Sequence, residues 1–103
     1  SREADAIRAK LPQNASVVAM CIEGRMRSSE EMAKLISDWS SNSAKHLVFV
    51  IGGSFGLHPS IKQMAWDRLS MSPMTFPHHL ARVMLLEQIY RSFQILDGTK
   101  YHK

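Results

Sequence analysis

The sequence predicts an α/β fold, a parallel sheet flanked by helices, and three observations carry that expectation. Two stretches, "SVVAMCI" (Ser16 to Ile22) and "HLVFVI" (His46 to Ile51), are rich in β-branched residues and almost wholly apolar, as strands covered on both faces are. Helix-period patterns alternate with these strands, the order that gives parallel pairing. Polar or glycine-rich punctuation separates the segments.

The elements follow in chain order. Ser1 to Lys10 has the pattern of the last turns of a helix, stopped by Pro12; it starts without methionine and in mid-pattern, as expected if a segment lies upstream. After the first strand, "EGRMRSS" forms a loop around Gly24. Ser28 and Glu31 have the spacing of a capping box and open a helix whose inner side carries Met32, Leu35, Ile36 and Trp39. The polar run "SSNS" closes it. The second strand leads into "GGSFG". Pro59 then suits the first turn of a helix with Ile61, Met64, Ala65 and Leu69 facing inward. A short strand is expected at Leu69 to Ser72. The last helix runs from about His78 to Leu96 and ends at Gly98. It presents Leu80, Val83, Met84, Leu86, Ile89, Tyr90 and Phe93, an apolar surface wider than one stripe. Such a helix needs two packing partners, its own sheet and a second subunit.

The chain of 103 residues is expected to hold one domain. Two or three strands are few for a sheet covered on both faces. An apolar fraction of 45% is that of a globular protein, and a mean hydropathy of −0.18 points to a soluble one. No apolar run approaches a membrane span, and no secretory signal is visible. Cys21 is the single cysteine, so no internal disulfide can form, which fits a reducing cytoplasm. Its apolar setting points to a buried, inert thiol. The net charge of +4 is modest. Beyond His78, however, Arg82, Arg91, Lys100 and Lys103 face only Glu87 and Asp97, so the carboxyl end is basic and suited to a polyanion.

Gly52-Gly53-Ser54-Phe55-Gly56 matches G-x-S-x-G, with Asp67 or Asp97 and His102 following in the order of a serine esterase. An elbow needs its helix directly after the serine, whereas Pro59 delays it, and the chain is short for such a sheet. The loop reads instead as a tight turn, or as the glycine-lined edge of a pocket at the carboxyl end of a parallel strand. G-x-G-x-x-G is absent, so no dinucleotide site is indicated. His78 and His79 are adjacent and point about 100° apart on a helix. With no H-x-x-x-H spacing and no cysteine pair, no metal is expected. Glu87 can pair with Arg91 one turn on, and Arg82 lies one turn after His78. Tyr101, His102 and Lys103 combine an aromatic face with a cation, a tip suited to RNA. The seven methionines and Trp39 and Trp66 are expected to pack.

Three segments in order, "FVIGGSFGL", "LSMSPMTFPHHLARVMLLEQIYRSFQIL" and the final "YHK", closely resemble the ribosomal RNA large-subunit methyltransferase H family. Its members are SPOUT-class enzymes that methylate N3 of a pseudouridine in 23S rRNA with S-adenosylmethionine. The resemblance runs from near Ser1 to Lys103 and implies a carboxyl-terminal trefoil knot and a homodimer. It places the cofactor among three loops: Met20 in "VVAMCIEG"; Gly52 and Gly53 in "VIGGSFG"; and Met71, Ser72, Pro73, Met74, Thr75, Phe76 and Pro77 in "MSPMTFP". His78, Arg82, Tyr101 and His102 match positions near the acceptor or the RNA, with Lys103 beside them. Family members carry a further amino-terminal strand and helix, which agrees with the mid-pattern start.

Methyl transfer to a ring nitrogen needs alignment and a deprotonated acceptor. His78 or His102 is the expected base, and Arg82 the charge stabiliser. "SMSPMTFPHH" lacks carboxylates. Its backbone, held by Pro73 and Pro77, can hydrogen-bond an adenine edge while Met71, Met74 and Phe76 form apolar walls. The alternatives are a non-catalytic RNA-binding module and a serine esterase at Ser54.

Overall fold

The computed structural model describes residues 2–42, 45–52 and 56–98. Their elements are α1 (Arg2–Lys10), β1 (Ala15–Met26), α2 (Ser29–Ser40), β2 (His46–Ile51), α3 (Pro59–Met64), β3 (Asp67–Ser70) and α4 (His78–Leu96). The three strands form one sheet in the order β2-β1-β3, and both pairings are parallel. The expected class, a parallel sheet flanked by helices, is therefore the observed one.

Side chains of a strand alternate between the faces of its sheet, so β1 feeds two cores. Val17 and Ala19 join Ala4, Val50, Leu57 and Ile61 on the face covered by α1 and α3. Val18 joins Met32, Leu35, Leu69 and Leu85 on the face covered by α2 and α4. This double burial explains why β1 and β2 show no polar alternation. The capping box expected at α2 is present: Ser28 Oγ accepts from Glu31 N at 3.1 Å, and the Glu31 carboxylate accepts from Ser28 N at 2.9 Å. Ser29 Oγ donates to Gln88 Oε1 at 2.6 Å and ties the start of α2 to α4.

Three expectations about the elements need correction. β1 does not end at Ile22. Met20 lies beside Leu69, pairing breaks over residues 21–24, and it resumes with Arg25 again beside Leu69 and Met26 beside Ser70. The predicted loop is thus a wide bulge inside a longer strand. Gly24 permits it, because a Cβ there would lie 2.8 Å from backbone atoms of Arg68 and Leu69.

The helix after Pro59 also stops short of Leu69. Ala65 is extended, and Trp66 N donates to Val17 O at 2.8 Å, which draws the chain into the sheet. Leu69 is buried from β3 rather than from α3, and β3 begins at Asp67, two residues before the expected strand. Met64, expected to face inward, is exposed. Trp66 is exposed as well, together with Met26 and Met74, so not all of these large side chains pack.

α4 has the expected bounds. Its most buried apolar residue is Leu85, while Leu80, Val83, Leu86, Tyr90 and Phe93 remain exposed. Glu87 pairs with Arg91 at 2.7 Å, as the spacing predicts. At the foot of β3, Arg27 reaches Asp67 at 3.2 Å, and both side chains are largely buried.

Candidate functional site

The carboxyl ends of β2 and β3 and the bulge of β1 open into one cleft of about 790 Å³. Parallel packing makes this edge the natural ligand site, because β2 and β3 end there and β1 bulges away from β3. Met20 and the bulge of β1 form its floor, Ile51 and Gly52 end β2 against it, and Leu57 begins the return toward α3. Leu69 to Ser72 and the segment 74–77 close the opposite side, with His78 and Ala81 of α4 beyond them.

The cleft thus brings together Met20, Gly52, Met71, Ser72, Met74, Thr75, Phe76, Pro77 and His78, residues 58 positions apart at their extremes. Pro73 and Arg82 do not line it. Arg82 is exposed one turn beyond His78 on α4. Gly53, Ser54, Tyr101, His102 and Lys103 lie outside the described residues. For the esterase alternative, Asp67 is engaged by Arg27 rather than left to orient a histidine.

Local geometry explains why the two glycine- and proline-marked segments can approach a ligand. A Cβ on Gly52 would fall 2.5 Å from the Gly56 carbonyl carbon and 2.7 Å from Leu57 N. Only glycine lets the β2 connection fold back so closely. In the other segment, Ser70 Oγ donates to Ser72 O at 3.1 Å, and Met74 N donates to Ser72 Oγ at 3.0 Å. These bonds form a serine turn that holds the loop without help from a carboxylate. The His78 and His79 rings, both exposed, lie 4.0 Å apart between centroids at a 45° tilt.

Sequence reasoning missed the charged groups of the cleft. Glu23 on the β1 bulge and Lys62 in the last turn of α3 both line it, and Lys62 Nζ donates to Glu23 Oε1. That hydrogen bond holds the Glu23 carboxyl below the ordinary carboxylate range. Cys21 lines the cleft too. Burial pushes its thiol up, and the neighbouring Glu23 carboxylate adds to the effect. A raised value keeps the sulfur protonated and weakly nucleophilic at neutral pH. Among the described residues, no group of three or more metal-ligating side chains is assembled, and no helix is long and apolar enough to cross a membrane.

A family model described as "Predicted SPOUT methyltransferase" matches residues 1–102. The chain belongs to the SPOUT methyltransferase family. The ribosomal RNA large subunit methyltransferase H of Ureaplasma parvum serovar 3 is 50% identical over 103 residues, which is 100% of this chain and 65% of the relative. The protein of that name from Bacillus pumilus is 45% identical over 102 residues, 99% of this chain and 64% of its own length. A "Putative ribosomal RNA large subunit methyltransferase H" of Methanococcus vannielii is 49% identical over 102 residues, with the same 99% and 64% coverage. The chain therefore spans about two thirds, and slightly less, of these SPOUT relatives.

Proposed function

We propose that this chain carries the cofactor and acceptor site of an S-adenosylmethionine-dependent methyltransferase acting on N3 of a pseudouridine in 23S rRNA. The observation that carries the reading is the cleft itself, in which the bulge of β1 and the loops after β2 and β3 meet around a largely apolar, backbone-lined space. Its volume lies within the several hundred cubic ångströms usual for a nucleoside-sized ligand. The names of the relatives supply the RNA class, and the resemblance of "SMSPMTFPHH" to the family's last loop supplies the base and the modification.

S-adenosylmethionine supplies a methyl group activated on a positively charged sulfur. The chain's own residues have the remaining tasks. Leu57, Leu69, Met71 and Phe76 offer apolar contact to a purine, and amides and carbonyls of residues 72–76 offer hydrogen bonds to its edge. Gly52 lets the β2 connection fold back against Gly56 and Leu57 at the cleft edge, and the family resemblance adds Gly53 to the cofactor loop. His78, at the α4 side of the cleft, takes the proton from the acceptor nitrogen, with His102 as the second base candidate. Arg82, one turn on, stabilises the resulting anion. Tyr101, His102 and Lys103 contact the RNA. The protonated Cys21 thiol does not compete for the methyl group.

In this reading the chain adopts the family's trefoil knot and acts in the cytoplasm as a homodimer, with the exposed face of α4 against a second copy. Calorimetry with S-adenosylmethionine and S-adenosylhomocysteine tests the cofactor, and methylation of ribosomes that lack the modification tests the acceptor. Binding at one site per chain and a His78→Ala variant slowed by about a hundredfold or more are expected. Failure of the folded protein to bind either ligand would overturn the proposal.

A further inference from the structure

The cleft at the strand ends contains a charge pattern that its loops alone do not explain. Among its described lining residues, Glu23 is the only carboxylate and Lys62 the only ammonium or guanidinium. All other lining side chains are apolar, hydroxyl, thiol or imidazole groups, apart from glycine. The two charges come from different elements, 39 residues apart, and meet at one rim. Lys62 stands on α3, which packs on one face of the sheet, whereas His78 and Ala81 stand on α4, which packs on the other. One end of the cleft is therefore charged with both signs and the other carries an imidazole.

The positions of the pair are held from behind. Arg68 Nη1 donates to the Lys62 carbonyl at 2.9 Å, which anchors the last turn of α3 to β3. Gly24, the residue after Glu23, is pressed against the β3 backbone and fixes the bulge that presents the carboxylate. Glu23 keeps much of its side chain in solvent, while Lys62 is more covered. Both groups can thus exchange their mutual contact for a ligand of matching charge without leaving a buried ion unpaired.

The geometry points to a subsite for an α-amino-acid zwitterion at this rim, with Lys62 taking the carboxylate and Glu23 the ammonium of the ligand's aminobutyrate end. An adjacent acid and base make two charge-assisted hydrogen bonds to such a group and match its two charges in sign. A phosphate or a simple nucleoside would meet one attractive and one repulsive or idle group there. The inference rests on the cofactor reading above and adds to it the residues that distinguish a ligand bearing the amino-acid tail from one without it.

The test compares S-adenosylhomocysteine with 5′-methylthioadenosine, a thioether nucleoside that lacks the tail, by calorimetry on the full chain. The wild type is expected to bind the first about tenfold or more tightly than the second. Glu23→Gln and Lys62→Met should each reduce that ratio by roughly threefold to tenfold, the range for partly exposed charge pairs. Their affinity for methylthioadenosine should not change, and thermal melts confirm that each variant is folded. A wild-type ratio near one, a ratio unaltered in both variants, or a parallel loss of both ligands would overturn the subsite and leave the cofactor reading standing. If the wild type binds neither nucleoside, the cofactor reading itself fails and the subsite with it.

Discussion

The close contact at Gly24 offers a sharp test of how the bulge holds the site. In Gly24→Ala the new Cβ would lie 2.8 Å from three backbone atoms, the carbonyl carbons of Arg68 and Leu69 and the nitrogen of Leu69. Ordinary contact begins at 3.4 Å, so β3 must retreat from β1 by roughly 0.6 Å or the bulge must re-form. A retreat of that size stretches ladder bonds from about 2.9 Å toward about 3.5 Å, the limit of useful geometry. β3 has only four residues to hold it, Asp67–Ser70. Loss of one or two of these bonds, at about 1 kcal/mol each, adds to an overpacking strain of about 1–3 kcal/mol. The expected destabilisation is therefore about 2–5 kcal/mol, a fall in Tm of about 10 °C or more for a chain of this size. Gly56→Ala is the control: its φ of +77° is left-handed, but nothing lies within 4 Å of an added Cβ. It should cost only the conformational strain of about 1–2 kcal/mol. Thermal and urea unfolding of both variants decide the matter. A Gly24→Ala protein as stable as Gly56→Ala would refute the steric account.

Three further outcomes are expected. Asp67→Ala leaves Arg27, whose Nε is already buried without a hydrogen-bond partner among the described residues, facing no carboxylate at 3.2 Å; urea unfolding should show a loss of about 2–3 kcal/mol, less than for a wholly buried pair. Glu31 is held below the ordinary carboxylate value of 4.5 by the backbone N–H of Ser28 and then by its side chain. A depressed folded-state value means that its contribution is present above that pH and is lost as pH falls through the folded value; urea midpoints between pH 3 and 6 should therefore fall less steeply in Glu31→Gln than in the wild type. In the proposed homodimer, Leu86→Lys on the exposed face of α4 should give a monomer in analytical ultracentrifugation; a monomeric wild type, or a sedimentation coefficient unchanged by the substitution, would refute that contact.

How far the sequence discloses this molecule depends on whether the deciding interaction is local. The capping box at Ser28 and Glu31, the start of α3 at Pro59 and the whole of α4 are legible because each rests on residues within a few positions of one another. The register of β1 is not. "EGRM" is polar enough to pass for a loop, and its return to the sheet depends on Leu69, which pairs with both Met20 and Arg25. α3 fails for the same reason. The apolar spacing from Ile61 to Leu69 fits a helix, yet Trp66 N finds the carbonyl of Val17, 49 residues earlier, and the strand wins. Trp66 then faces solvent, against its composition.

The same distinction separates the two halves of the candidate site. Gly52 and the segment 71–77 advertise themselves, since glycine and proline mark backbone that a ligand can approach. Glu23 and Lys62 do not. Each alone is an unremarkable surface charge, and one sits in a stretch that periodicity assigns to a loop while the other sits on a six-residue helix. The wide bulge lets Glu23 lean over the cleft, where Lys62 of α3 meets it. The departure of β1 from the expected pattern is thus the feature that brings Glu23 to the charged rim. A ligand site built where local propensity is overruled is what folding for function requires, because the residues that bind must be placed by the tertiary structure rather than by their neighbours in sequence.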